Sequence, residues 1–302
     1  MNHPSRTILL ALALLGLMTV VPTRAADDDK LSQILIPGED WQVAAQELSF
    51  ADGLSTDADG NVYFCEMRAK PPAIFKMTPD GVKTKVGEGS RSGTRRGPDG
   101  KLYAVGTNQA LVYDLATGTS TVLAEKISTN DLTVSAKGLL YLTEPAKNQI
   151  TLIDPKTKDV KALDRGIKSP NGIGLSPDQK TLYVSDYGTT TVYAFAVQPD
   201  GTLADKKALM TMKAPENKPT IANGDGMTID AAGRVYVTTA LGIQVFTPAG
   251  ELLGVIPKVK SSNPMSTTFG GKDLGYLYMS HGDTIYRRKV QAKGALSFET
   301  PK

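Results

Sequence analysis

Apolar residues along the chain alternate with polar ones in short runs, and turns rich in Gly, Pro and Asp separate the runs. The stretch from Ser169 to Asp186 shows the unit. A polar loop ends at Asn171 and Gly172, and two apolar runs, Ile173–Leu175 and Thr181–Val184, then flank Ser176–Asp178. Alternation on both sides of Pro/Asp turn chemistry predicts a β-hairpin. The unit recurs at Asp52–Tyr63, Asn130–Tyr141 and Asp225–Tyr236. Its closing tyrosines are Tyr63, Tyr103, Tyr141, Tyr183, Tyr236 and Tyr278, spaced by 40, 38, 42, 53 and 42 residues. A second hairpin follows most of them, as where Ile74–Met77 turns at Pro79–Gly81 and Val192–Val197 at Pro199–Gly201. Four short strands in about 40 residues is the period of a propeller blade. The pattern therefore predicts an all-β chain, a six-bladed β-propeller forming one domain over residues 41–295. The strand expected around Val43–Phe50 would join the last blade and close the ring, which removes exposed edges. The widest gap holds an insertion, Met210–Ala222, expected as a surface loop.

The first 25 residues break this pattern. Arg6 precedes Ile8–Val21, fourteen residues without charge, and Pro22–Ala25 offers a cleavage site. This reads as a secretory signal peptide, since the run is short for a membrane span of about 20 residues. The expectation is a periplasmic or secreted protein with no membrane attachment after cleavage, and a flexible linker over 26–40. Losing Arg6 and Arg24 lowers the formal net charge from +3 to +1. That near-neutral balance argues against nucleic acid as a partner and leaves a small molecule. Nothing in the sequence fixes an oligomeric state. Cys65 is the single cysteine, so there is no disulfide framework, and it reads as buried packing. The two histidines are His3 and His281, which excludes a His-rich zinc site. His281 is expected in a solvated loop, and Trp41 as a packing anchor.

Candidate chemistry follows from the phase of the repeat. Counting back eleven residues from each tyrosine, with one extra turn residue before Tyr183 and Tyr278, reaches Asp52, Ser92, Asn130, Asn171, Asp225 and Ser266. All six carry a side-chain oxygen. Equivalent positions in a propeller face the axis alike, so they are expected to ring one mouth of the central channel. Carboxylate and carboxamide oxygens in a ring make a hard-cation site. Asp52, Asn171 and Asp225 carry most of that expectation. Asp or Asn before Gly is also ordinary turn chemistry. Of the pair Arg95–Arg96, one alternating position could face the channel and meet an anion; otherwise the pair is surface charge. Tyr187 could wall the same pocket.

The segments Ala51–Gly53, Thr129–Asp131, Pro170–Asp178, Leu182–Asp186 and Gly224–Met227 resemble the senescence marker protein/gluconolactonase family, which includes regucalcin-like and luciferin-regenerating proteins. The resemblance runs from about Phe50 to Val290. It implies a six-bladed propeller with one divalent metal ion at the channel mouth, held at the positions of Asp52, Asn171 and Asp225. Calcium or magnesium is the first expectation, with manganese or zinc as alternatives. It implies that Asn130 lies beside substrate or metal, and that the activity is hydrolysis of a sugar lactone or related ester. Asp225, or Asp131 next to Asn130, would take the proton. Ser92, Ser266, Arg95 and Tyr187 complete the candidate substrate-binding set. Two positions depart from the family pattern: Asp52 stands for a Glu, and Ser128 for an Arg that the family's sugar-binding enzymes often carry. Two other functions stay open at this point. One is a non-catalytic periplasmic propeller binding calcium or a small ligand. The other is a strictosidine-synthase-like or NHL-type propeller with different chemistry. Fold alone does not choose among them.

Overall fold

The computed structural model describes residues 30–300, apart from residues 90 and 107. The expected signal peptide therefore lies outside the described residues. Six four-stranded antiparallel sheets form the six blades of a propeller. The innermost strands are Ala51–Thr56, Gly93–Arg96, Leu132–Val134, Pro170–Leu175, Met227–Ile229 and Thr267–Gly270. Each touches the next around the axis, and the last touches the first. Among the described residues the helical elements are three short 3-10 turns, at Leu31–Gln33, Pro145–Lys147 and Lys272–Leu274.

The tyrosines explain why the repeat is written as it is. Each lies on the second strand of its blade and is buried. Three of them donate to an Asp of the preceding turn: Tyr63 to Asp57 at 2.9 Å, Tyr103 to Asp99 at 2.9 Å, and Tyr236 to Asp230 at 2.8 Å. A buried ring with a satisfied hydroxyl thus ties each of these hairpins to its own turn. The core lies between blades. One cluster packs Tyr63, Cys65 and Ile74 of blade one against Leu102, Leu111 and Tyr113 of blade two. Another packs Tyr141 and Ile150 of blade three against Ile173, Leu182 and Val184 of blade four. Cys65 is fully buried there, as packing.

The ring closes as the pattern requires. Gln42–Ala45 pairs antiparallel with Thr284–Lys289, giving the last blade its outer strand. Trp41, just before this strand, ties it to the outer strand of blade five by donating from Nε1 to Pro257 O at 3.0 Å.

Several expectations change. Part of the expected linker is ordered, because Leu31 and Ile34 are apolar and bury against the last two blades. The domain also extends past 295, since residues 295–298 line a small cavity at the lower end of the channel. There Ala295 N donates to Ile229 O, and Gln179 Nε2 donates to Ser297 O and Glu299 O. Met210 belongs to a strand, Leu203–Thr211, so the insertion begins after it. His281 ends the strand Tyr276–His281 and is fully buried. The chain around Ser262 covers it, with Nε2 2.8 Å from Ser262 O. Burial and nearby lysines hold its imidazole below the usual range.

Candidate metal centre

The inner strands position the site. In blades one and four the register with the second strand slips between Asp52 and Ser55, and between Pro170 and Ile173. Such irregularities re-aim a side chain out of the ladder, and here they fall on Asp52-Gly53 and Asn171-Gly172. Gly53 has φ +64, and a Cβ on Gly172 would stand 2.1 Å from Asp225 O. Glycine after the ligand position thus lets neighbouring inner strands close on one another. In blade five, Asp225 N donates to Thr238 O at 2.8 Å and Thr238 N to Gly226 O at 3.0 Å.

Hydrogen bonds then stitch this level blade by blade. Thr94 Oγ1 donates to Gly53 O, Ser92 Oγ to Asn130 O, and Thr143 Oγ1 to Asn171 O, at 2.6, 2.6 and 2.7 Å. Ser185 Oγ donates to Asp225 O at 3.1 Å, and Thr238 Oγ1 to Met265 O at 2.9 Å. Leu54 N donates to Ser266 Oγ at 3.1 Å, completing the circle. Asp52, Asn171 and Asp225, distant in sequence, are brought to one mouth by this ring.

Register corrects one of the six expected positions. Asn130 N donates to Thr143 O as Asp225 N does to Thr238 O, so those two are equivalent. In the last blade the same bond is made by Met265 N to Ser280 O. Met265 therefore holds the ring position, and Ser266 sits where Gly226 does in blade five. The hairpin turn of this blade has two extra residues rather than one, because the 3-10 turn Lys272–Leu274 lies inside it. Both Ser92 and Ser266 use their hydroxyls to close the ring rather than to present them to a ligand. Arg95 is the one of the pair that faces the channel, but it lies below the mouth and its anion is Asp131.

Electrostatics single out three carboxylates. Burial first, then the charge of Asp131, raises Asp52 to about 7, despite a bond from Gly53 N. Burial pushes Asp131 to about 6, against the pull of Arg95 and of the Leu132 and Ile173 amides. Burial, Asp52 and Asp131 all push Asp225 well up, while Gly226 N and the Asn171 side chain pull it down. Like charges with little water cannot all ionise cheaply. Among the described residues no three of His, Cys, Asp and Glu group as a metal cluster. The donor set that converges is instead two carboxylates and an amide. Asn171 is buried, and its Oδ1 has no hydrogen-bond partner. An orphaned acceptor beside two strained carboxylates fits a hard divalent cation, which would satisfy all three.

Tyr187 stands at the rim. Burial and the charge of Asp225 push its phenol up, and the side chains of Asn223 and Asn263 hydrogen-bond with it. Neither asparagine is singled out by the repeat. Asn223, two residues before Asp225 in an Asn-Gly-Asp-Gly run, carries the only local signal. Asp186, at the end of the segment Leu182–Asp186, is buried and accepts from Lys168 N, Ser169 N and Gly188 N. It thereby fixes the loops on either side, those of Asn171 and Tyr187.

Comparison with known proteins gives the family and the fold. The family model for the SMP-30/gluconolactonase/LRE-like region matches residues 71–282. A gluconolactonase of Zymomonas mobilis is 25% identical over 307 aligned positions, covering 88% of this chain and 85% of its own. A gluconolactonase structure from Xanthomonas campestris superposes with TM-score 0.73 at 20% identity, over 85% of this chain and 91% of the other. A structure titled as the calcium-binding protein regucalcin, from Agrobacterium tumefaciens, gives TM-score 0.70 at 17% identity, over 85% and 96%. At those identities the two structures speak to the fold alone.

Proposed function

The chain belongs to the SMP-30/gluconolactonase/LRE-like family, and from that premise we propose that it hydrolyses a lactone or related ester at the channel mouth. In this reading Asp52, Asn171 and Asp225 hold one divalent cation, calcium or magnesium first. The observation that carries it is the unpartnered, buried Asn171 Oδ1 beside two carboxylates whose ionised forms are disfavoured.

When bound, such an ion supplies a Lewis acid for the carbonyl and lowers the pKa of a nearby water. The chain's own part is to hold, orient and accept. Asp131, raised to about 6, is basic enough to take the proton of the attacking water and to return it, as a general base working near neutral pH does. Asp225 is the alternative acceptor. Attack at the carbonyl carbon breaks the ring C–O bond, the returned proton goes to the leaving oxygen, and a hydroxy acid leaves. In this reading Asn130, at the ring position between Ser92 and Asn171, and Tyr187 at the rim orient the lactone.

The reading includes export: Ile8–Val21 and the site at Ala25 direct the chain out of the cytoplasm, so the substrate is met there. A pH-stat panel tests the activity, with a polyhydroxylated δ-lactone, an unsubstituted δ- and γ-lactone, and an aryl ester. Each is run with calcium, magnesium, manganese or zinc. Turnover of at least one lactone is expected. No turnover of any lactone with any of the four ions would leave a cation-binding propeller without chemistry.

A further inference from the structure

Arg95 lies on the inner strand of blade two, three residues below Ser92. It lines the small cavity at the foot of the channel with Thr133, Gly174 and Thr228, and residues 295–298 close that cavity from beneath. The guanidinium spans three blades. Its Nε donates to Leu132 O at 3.2 Å and its Nη1 to Leu54 O at 3.4 Å. The carboxylate it attracts is Asp131. Asp131 in turn accepts from Leu132 N at 2.8 Å and interacts with the amide of Ile173, two residues past Asn171. The cation is thus built into the floor of the mouth, not offered to a ligand.

The charges can be counted. Asp52, Asp131 and Asp225 act on one another in the channel, and Arg95 acts on Asp131. Three carboxylates and one guanidinium leave two negative charges in excess. Arginine keeps its proton in proteins, so this counter-charge is permanent. Unbalanced charge away from bulk water is costly, and an ion of charge two balances the count.

We infer that Arg95 is a positioning residue, the fixed counter-charge of the mouth, and that it sets the charge of the ion the mouth takes. This rests on the metal reading above. Without the guanidinium the excess is three charges, and a trivalent ion of calcium-like size becomes the better match.

The test compares calcium and terbium(III) binding by titration calorimetry at pH 8 in wild type, Arg95→Met and Arg95→Lys. The terbium-to-calcium affinity ratio is expected to rise at least tenfold in Arg95→Met. It should stay within threefold of wild type in Arg95→Lys, which keeps the charge and loses the guanidinium geometry. A merely structural role would weaken both ions together and leave the ratio alone. An unmoved ratio in Arg95→Met overturns the inference. If Arg95→Met does not fold, Asp131→Asn decides: the ratio must fall at least tenfold, and an unmoved ratio there overturns it equally. Wild type that binds no divalent ion defeats the metal reading itself. Wild type that binds calcium while the ratio stays fixed defeats only the role of Arg95.

Discussion

Replacing Asp225 by Asn keeps the shape of the side chain and removes one of three charges that crowd the mouth. Asp52 holds a proton up to about 7, against 3.8 for the ordinary carboxyl. Carrying its charge in the metal-free protein therefore costs up to roughly 4 kcal/mol, at about 1.4 kcal/mol per tenfold. Water reaching the mouth screens part of that, so the figure is an upper bound. Asp225 adds to the strain, because its charge and that of Asp52 repel. With Asp225→Asn the metal-free protein at pH 8 is expected to be as stable as wild type, or more stable by on the order of 1 kcal/mol. Metal affinity should fall at least about 100-fold, which is about 2.7 kcal/mol. Titration calorimetry with calcium, magnesium, manganese and zinc gives the affinity, and thermal melts in chelator give the stability. Wild-type affinity in the variant would refute the ligand assignment. A metal-free variant weaker by more than about 2 kcal/mol would refute the strain argument, since Asp225 would then be stabilising the fold.

Three further outcomes follow from the geometry. Gly172→Ala places a methyl 2.1 Å from Asp225 O and must push the inner strands of blades four and five apart; a loss of about 1–3 kcal/mol is expected, read as a lower melting temperature together with weaker metal binding. Asp52 is protonated in the folded, metal-free state up to about 7 and in the unfolded chain only to 3.8. Its contribution to stability is thus present below 3.8 and lost as pH rises through 7. Metal displaces that proton, so affinity should rise over the same window, and the gap between wild type and Asp52→Asn in melts at pH 4.5 and pH 8 checks both signs. Edman sequencing of protein recovered from the exported fraction should begin at Ala26, and Met1 there would make Ile8–Val21 an anchor or an uncleaved segment instead of a cleaved signal.

The blades were legible because one physical device repeats. A tyrosine buried on the second strand recurs at each pass of the chain, and in three blades its hydroxyl sits on a turn aspartate, as at Tyr63 and Asp57. Phase then pointed to Asp52, Asn130, Asn171 and Asp225, because each inner strand starts at a fixed distance from its tyrosine. The last blade broke the count at Met265 and Ser266, where the turn around Lys272–Leu274 lengthens the hairpin without changing its composition. Residues that act across the ring were harder. Arg95 reads as one of two adjacent cations, and only the fold shows it crossing from Leu132 to Leu54. The segment 295–298 carries no strand pattern, so its place under the channel comes from Gln179 and Ile229 rather than from its own sequence. His281 lacked any local sign of burial because the chain that covers it, at Ser262, precedes it by nearly twenty residues.

Whether the bound ion drives the chemistry is decided by measuring activity against metal occupancy in a single preparation. Protein is stripped with chelator, checked for residual metal, and titrated with calcium while hydrolysis of its best lactone is followed. No enzymatic turnover is expected in the stripped protein, and the rate should climb with occupancy to a plateau at one ion per chain. Turnover at the plateau rate in protein verified to be free of metal would contradict it.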